Sequence, residues 1–288
     1  MDIRLPENHT PLITRATKIL DERIRERTGL SSLTTLEPDL VLEIDPNIGT
    51  EGYRLADGEN GSIRIIGNDE RGVLYGVGRF LRECRFGEDE FVAGSWRGAS
   101  VPEKPVRGMY FATHFHNFYH DAPLAEVERY VEDLALWGCN ALSVWYDMHH
   151  YTGIDDPQAQ EMIQRLHAIL KAGNDVGMGA GLTSIANEAY YTSPEAMRAI
   201  DTGCGFYHVE LCPNQPGVME LMLKWRQEML DAFADLNIEY VWIWPYDQGG
   251  CACEQCRPWG ARGFLKIGEP VARLVRQTMP QAAVILST

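Results

Sequence analysis

Chemistry-bearing residues concentrate in Tyr240-Val-Trp-Ile-Trp-Pro-Tyr-Asp-Gln-Gly-Gly-Cys-Ala-Cys-Glu-Gln-Cys256. The aromatic and β-branched run Tyr240 to Trp244 reads as a buried strand, and Pro245, Gly249 and Gly250 end it where polar groups begin. Asp247 therefore stands at the C-terminal end of a strand with backbone room beside it, and it is the first catalytic candidate. Trp244 and Tyr246 flank it with faces that can stack on a sugar ring or simply pack the core, and Gln248 adds a hydrogen-bonding amide. Cys251, Cys253 and Cys256 follow at a spacing that lets three sulfurs converge on a metal. A closed zinc site takes four ligands, so Cys204, Cys212 or His208 would have to complete it.

Other polar groups gather at the ends of other apolar runs. Asn187 and Glu188 follow the Gly-rich stretch at 177–182, and Glu210 sits in His208-Val-Glu-Leu-Cys-Pro213. Glu188 is the second catalytic candidate, as acid or nucleophile, against the plainer reading of a solvated or helix-starting Glu. His114 and His116 end one expected strand; Tyr146, Asp147, His149 and His150 end the next. At a rim these side chains would hydrogen-bond sugar hydroxyls or, with Asp147, hold a divalent metal.

The positioning elements come next. Apolar residues at helical spacing over 10–28, three short strand-like runs at 40–44, 52–55 and 62–66, and a helix of roughly 71–82 capped by Asn68-Asp69 make a small α+β domain. Val101-Pro-Glu-Lys-Pro105 reads as a stiff linker. Beyond it strand, loop and helix alternate: strands at 108–113, 141–145, 176–182, 240–244 and 283–286, with helices near 124–137, 157–175, 217–236 and 264–278. Alternation of that kind implies parallel strands with crossover helices. The expectation is an α/β protein in two domains: residues 1–103, and residues 104–288 as a TIM-type (β/α) barrel truncated after about five units, since a closed barrel needs eight.

The stretches Glu51-Gly-Tyr-Arg-Leu55, Ile63-Arg-Ile65, Gly67-Asn-Asp-Glu-Arg-Gly-Val-Leu-Tyr-Gly76, Phe80-Leu81 and Pro105-Val-Arg-Gly-Met109 resemble the N-terminal domain and barrel start of family 20 glycoside hydrolases (β-N-acetylhexosaminidases) and of α-glucuronidases. The resemblance implies hydrolysis of O-glycosidic bonds, foremost in N-acetylhexosamine-containing glycans. In family 20 an Asp-Glu pair ends the fourth barrel strand; by that likeness Asp247 would orient the acetamido group of the substrate. Gln248 stands where the family has its acid, and a carboxamide has no proton to give, so the proton would come from elsewhere, with Glu188 and Glu210 as candidates. The alternatives are a non-catalytic carbohydrate-binding protein with a degenerate site, a uronic-acid-releasing glycosidase, and a zinc hydrolase using the His-rich rims.

Composition narrows the partners. A net charge of −15 without a basic stripe argues against nucleic acid. No run of about 18 apolar residues argues against a membrane span, and the N-terminus lacks a secretory signature, so a cytoplasmic setting is expected, a removed leader aside. The expected partner is a carbohydrate, with homo-oligomer formation left open. No cofactor is required by this chemistry, and a structural zinc at the cysteines is the one addition considered.

Overall fold

The computed structural model describes residues 1–34, 36–201, 207–245 and 250–287. These divide into two units, residues 1–108 with 128–140 and 175–178, and residues 109–127 with 141–174 and 179–288.

In the first unit β1 (Ile3–Arg4), β2 (Leu40–Ile44), β3 (Tyr53–Asp57), β4 (Ile63–Gly67) and β7 (Gly98–Ser100) form a mixed sheet in the order β1-β2-β4-β3-β7. β2 runs parallel to β4 with Leu40 opposite Ile63, and β3 runs antiparallel to β4 with Tyr53 opposite Gly67. β5 (Arg85–Gly87) and β6 (Glu90–Val92) make a separate hairpin. Helix α1 (Pro11–Thr28) buries Ile13, Ala16, Ile19, Leu20 and Ile24, the stripe its spacing predicts. Helix α2 (Glu70–Glu83) opens as expected: the Asp69 side chain accepts from the Gly72 N–H. The glycines of the Gly67 to Gly76 stretch have a packing reason, since a Cβ on Gly72 would lie 2.2 Å from the Gly52 carbonyl oxygen.

The second sheet holds β8 (Gly108–Phe111), β9 (Ala141–Trp145), β10 (Gly179–Ile185), β11 (Ile238–Trp244) and β12 (Ala283–Leu286), in sequential order. The pairs β9 with β10, β10 with β11 and β11 with β12 are parallel, so their C-terminal ends share one edge. The helices along this part of the chain are α3 (Phe118–Asp121), α4 (Leu124–Leu136), whose residues from 128 on belong to the first unit, α5 (Pro157–Asp175), α6 (Val218–Asp231) and α7 (Leu265–Thr278). β10, the central strand of this sheet, is buried along its whole length, so both of its side-chain faces are covered. It starts three residues later than the apolar pattern suggests, because Gly177 adopts φ 78° and closes a turn. The mixed α/β character follows the sequence; the five strands form an open sheet, short of the eight of a closed barrel.

Charged residues buried in the first unit are paired. Arg23, 3% exposed, lies 3.0 Å from Glu132 and 2.9 Å from Asp133. Glu51 receives Arg71 at 2.8 Å, Arg107, and the Asn140 amide. Burial alone would lift the Glu51 carboxyl; Arg71, Arg107 and Asn140 outweigh it and hold it below the usual range. No helix among the described residues is long and apolar enough to cross a membrane.

Candidate active site

Parallel pairing brings the residues after β9 and β10 to the same edge. Register sets Thr183 opposite Trp145 and Ile185 opposite Trp244. Just past β9 come Tyr146 and Asp147, just past β10 Asn187 and Glu188. Thr113 clips the end of β9 from the side, its hydroxyl 2.7 Å from the Trp145 carbonyl oxygen and 2.9 Å from the Trp145 N–H.

At this edge Asp147, His149, Glu188, Glu210 and Arg226 form one buried ionisable cluster. Asp147 Oδ1 lies 2.6 Å from His149 Nδ1, and Asp147 Oδ2 lies 3.3 Å from His150 Nε2. Glu188 Oε1 accepts from the Trp145 indole N–H at 2.8 Å and the Met148 N–H at 3.0 Å. Its Oε2 sits 3.7 Å from Arg226 Nη2 and has no hydrogen bond among the described residues. Arg226 donates to the Ile185 carbonyl at 2.7 Å and touches the Met148 sulfur at 3.0 Å. Glu210 accepts the Tyr207 N–H at 2.8 Å and the Val209 N–H at 3.1 Å, and its Oε1 stands 3.9 Å from His149 Nε2. That His149 Nε2 also lacks a hydrogen bond among the described residues.

The environment sorts these groups by proton affinity. Burial pushes the Glu188 carboxyl above the usual carboxylate range, with His149 and Arg226 only partly offsetting it. For His149 burial disfavours the charge, but the Asp147 hydrogen bond and the negative Glu188, Asp147 and Glu210 outweigh burial and raise its pKa above 6.5. Asp147 is the converse case: burial would raise it, while His149 and His150 hold it well below the ordinary range. A carboxyl with raised proton affinity beside an imidazole held by a second carboxylate is an arrangement fit for proton transfer.

The outer layer is aromatic. Tyr207 stacks on His149 with ring centres 4.0 Å apart, and it packs with Tyr110 against Trp145 and Ile185. His114 lies over Trp145 at 4.4 Å, its Nδ1 2.8 Å from the Tyr110 hydroxyl. His150 remains 59% exposed and links buried Asp147 to solvent.

Other sequence candidates occupy different places. Tyr146 is fully buried and stacks on Tyr151, because chain alternation turns it away from Trp145 and Asp147. His116 is 75% exposed, its Nε2 2.7 Å from an Asp121 carboxylate oxygen. Trp244 ends β11 half-buried, its carbonyl taking the Ala186 N–H. Asn187 is a clip: its amide nitrogen donates to the Leu211 carbonyl at 3.1 Å and the Gly250 carbonyl at 2.6 Å. Asp247, Tyr246, Gln248 and Cys204 lie outside the described residues. Arg226 and Tyr207 went unnoticed in the sequence. For Arg226 a signal existed, since Met222, Met229 and Leu230 put it on the apolar face of α6.

Neither a scan of family models nor a search of curated proteins finds a match. Solved structures do match. The β-N-acetylhexosaminidase of glycoside hydrolase family 20 from Streptomyces coelicolor A3(2) aligns over 99% of this chain and 61% of its own, with TM-score 0.69 and 16% identity. The family 20 exo-β-N-acetylglucosaminidase from Vibrio harveyi, as its D437A inactive mutant, aligns over 99% and 51%, with TM-score 0.71 and 14% identity. An enzyme of glycoside hydrolase family 138 targeting pectin rhamnogalacturonan II aligns over 99% and 44% at TM-score 0.62 and 11% identity. The chain has a GH20-like fold. It spans between 44% and 61% of these proteins' lengths, and at such identities the likeness establishes the fold alone.

Proposed function

We propose that this chain is a glycoside hydrolase-like protein acting on O-glycosidic bonds of N-acetylhexosamine-containing glycans, with Glu188 as proton donor. The observation that carries the reading is a buried carboxyl with raised proton affinity, just past the C-terminal end of the central strand of a GH20-like fold. Glycosidic cleavage needs a carboxyl whose proton affinity is raised above the ordinary range, and desolvation shifts Glu188 in that direction. In this reading Arg226 holds the carboxyl in place from one side, and Trp145 and Met148 fix its other oxygen. Asp147 orients His149 through the 2.6 Å contact. Asp247 takes the role that the family resemblance implies, orienting an acetamido group. Tyr207 covers the His149 ring and Glu188 is itself buried, so a sugar reaches this cluster only if the covering side chains move.

Two observations favour a second reading, a carbohydrate-binding protein without turnover: Gln248 where the family carries its acid, and zero solvent exposure of Glu188. A panel of aryl β-glycosides, with the N-acetylglucosaminide and the glucuronide included, separates the two. Turnover of the N-acetylglucosaminide that falls about 10²–10⁴-fold in Glu188→Gln supports the enzyme. Sugar binding by calorimetry with no turnover supports the second reading, and turnover untouched in Glu188→Gln removes Glu188 from the reaction.

A further inference from the structure

The cysteines are the part of the molecule that the site above does not use. Cys212, Cys251, Cys253 and Cys256 each bring a sulfur to within 4.8 Å of the other three. Cys212 Sγ is 3.8 Å from Cys253 Sγ and 3.7 Å from Cys256 Sγ. A disulfide holds its sulfurs about 2.05 Å apart, whereas a tetrahedron of sulfurs around zinc at about 2.3 Å has edges of about 3.8 Å. Cys212 is thus equidistant from two partners at the spacing of a shared centre, and bonded to neither.

The surroundings suit a tetrathiolate. Cys212, Cys251 and Cys256 are buried against Ala199 and Trp259, which exclude water from the sulfurs. The Asn214 amide donates to Cys256 Sγ at 3.1 Å and the Ile200 N–H to Cys251 Sγ at 3.4 Å. Lys266 donates to the Asn214 carbonyl oxygen and so polarises that amide. Donors of this kind stabilise negative sulfur and are what a metal-bound thiolate retains. The backbone is laced for it as well. Segment 197–200 takes the Cys212 N–H on Met197 at 2.9 Å and the Ala252 N–H on Ile200 at 2.9 Å, and the Cys256 N–H closes a turn on the Cys253 carbonyl at 3.0 Å.

We propose that Cys212, Cys251, Cys253 and Cys256 form a tetrathiolate zinc site that fastens the segment after β11 to the segment around residue 212. Four soft, closed ligands with no open position specify a structural site, not a catalytic one. Its position matters to the candidate active site. Asn187 donates to the carbonyl preceding Cys212 and to the carbonyl preceding Cys251, so both arms of the metal site are tied to the residue beside Glu188. Binding consists of four thiols losing their protons to solvent as four Zn–S bonds form, with no redox change.

The experiment uses the full chain, purified without added metal or chelator. Elemental analysis is expected to find a single zinc per chain. Exchange for Co(II) is expected to give the intense visible bands and sulfur charge-transfer absorption of a tetrahedral tetrathiolate. Cys253→Ser, the more exposed ligand, is expected to lose the metal; if that variant fails to fold, titrating the native protein with a mercurial thiol reagent and reading zinc release with a chromophoric chelator gives the same answer. Asn214→Ala should weaken zinc binding about 10–100-fold in chelator competition. Protein free of zinc with a disulfide among these cysteines, iron in place of zinc, or Co(II) spectra lacking sulfur charge transfer each overturn the assignment.

Discussion

Arg226→Met is the sharpest probe of the buried cluster. The Arg226 side chain is fully buried, its Nη2 lies 3.7 Å from Glu188 Oε2, and methionine replaces its apolar stem without the charge. At an effective dielectric of about 20 that separation corresponds to about 4.5 kcal/mol of gross attraction. Much of it is offset by the cost of dehydrating both charges. Removal leaves Glu188 uncompensated and takes from the Ile185 carbonyl the shorter of its two hydrogen bonds, the Glu188 N–H at 3.3 Å remaining, a loss of about 0.5–1.5 kcal/mol for that bond. The expected destabilisation is about 3–5 kcal/mol, as for other buried pairs losing one partner. The assay is urea unfolding followed by fluorescence, to which Trp145, Trp225, Trp242, Trp244 and Trp259 of the second unit contribute. In the double variant with Glu188→Gln the orphaned charge is gone, so the combined loss should fall short of the sum by about 1–3 kcal/mol. The pH dependence has a definite sign. Glu188 binds its proton more tightly folded than unfolded, so its contribution is full below the unfolded value of 4.5 and is lost as pH rises through the folded value. Deleting Arg226 lifts that value further, so the penalty should grow as pH rises above 4.5, by no more than about 1.4 kcal/mol per unit. Additivity within about 0.5 kcal/mol, or a penalty flat with pH, would refute the coupling.

Asp147→Asn removes the principal group that keeps His149 charged, and the histidine resonance in an NMR titration should move to lower pH; an unmoved titration would show that Asp147 does not control it. In the native protein the His149 contribution to stability is present below 6.5 and lost as pH rises through its folded value. The Asp147 contribution is present above 3.8 and lost as pH falls through its own, so the pair stabilises most between these limits. Gly78→Ala tests packing in the first unit. In an open helix this change stabilises by about 1 kcal/mol, but here the new Cβ would lie 1.9 Å from the Leu136 carbonyl oxygen, so a loss of about 1–3 kcal/mol is expected on thermal or urea unfolding. A gain would contradict the packing described.

Local signals carried much of the fold. The Asp69 cap, the α1 stripe and the β12 run needed only neighbours in sequence, and the structure reproduces each within a residue or so. The strand before Glu188 was displaced because apolar content at Val176 does not reveal the left-handed turn at Gly177. At the site, Glu188, Asp147 and Glu210 were visible as carboxylates next to strand ends. Tyr146 was not separable from a rim aromatic, since which face it takes depends on where β9 stops. Sequence leaves Cys212, Cys204 and His208 equal candidates to complete the cysteine cluster, because Cys212 lies about forty positions before its partners and only folding supplies that proximity.

The first unit takes Glu132 and Asn140 from stretches far downstream of the proline pair at 102 and 105. Anyone excising the leading hundred residues as a standalone fragment would discard the acid that neutralises Arg23 and the amide that steadies Glu51. Such a fragment would carry stranded charges into its interior. Shuffling this piece between proteins, in the laboratory or in evolution, works only if the helix and turn bearing those two residues travel with it.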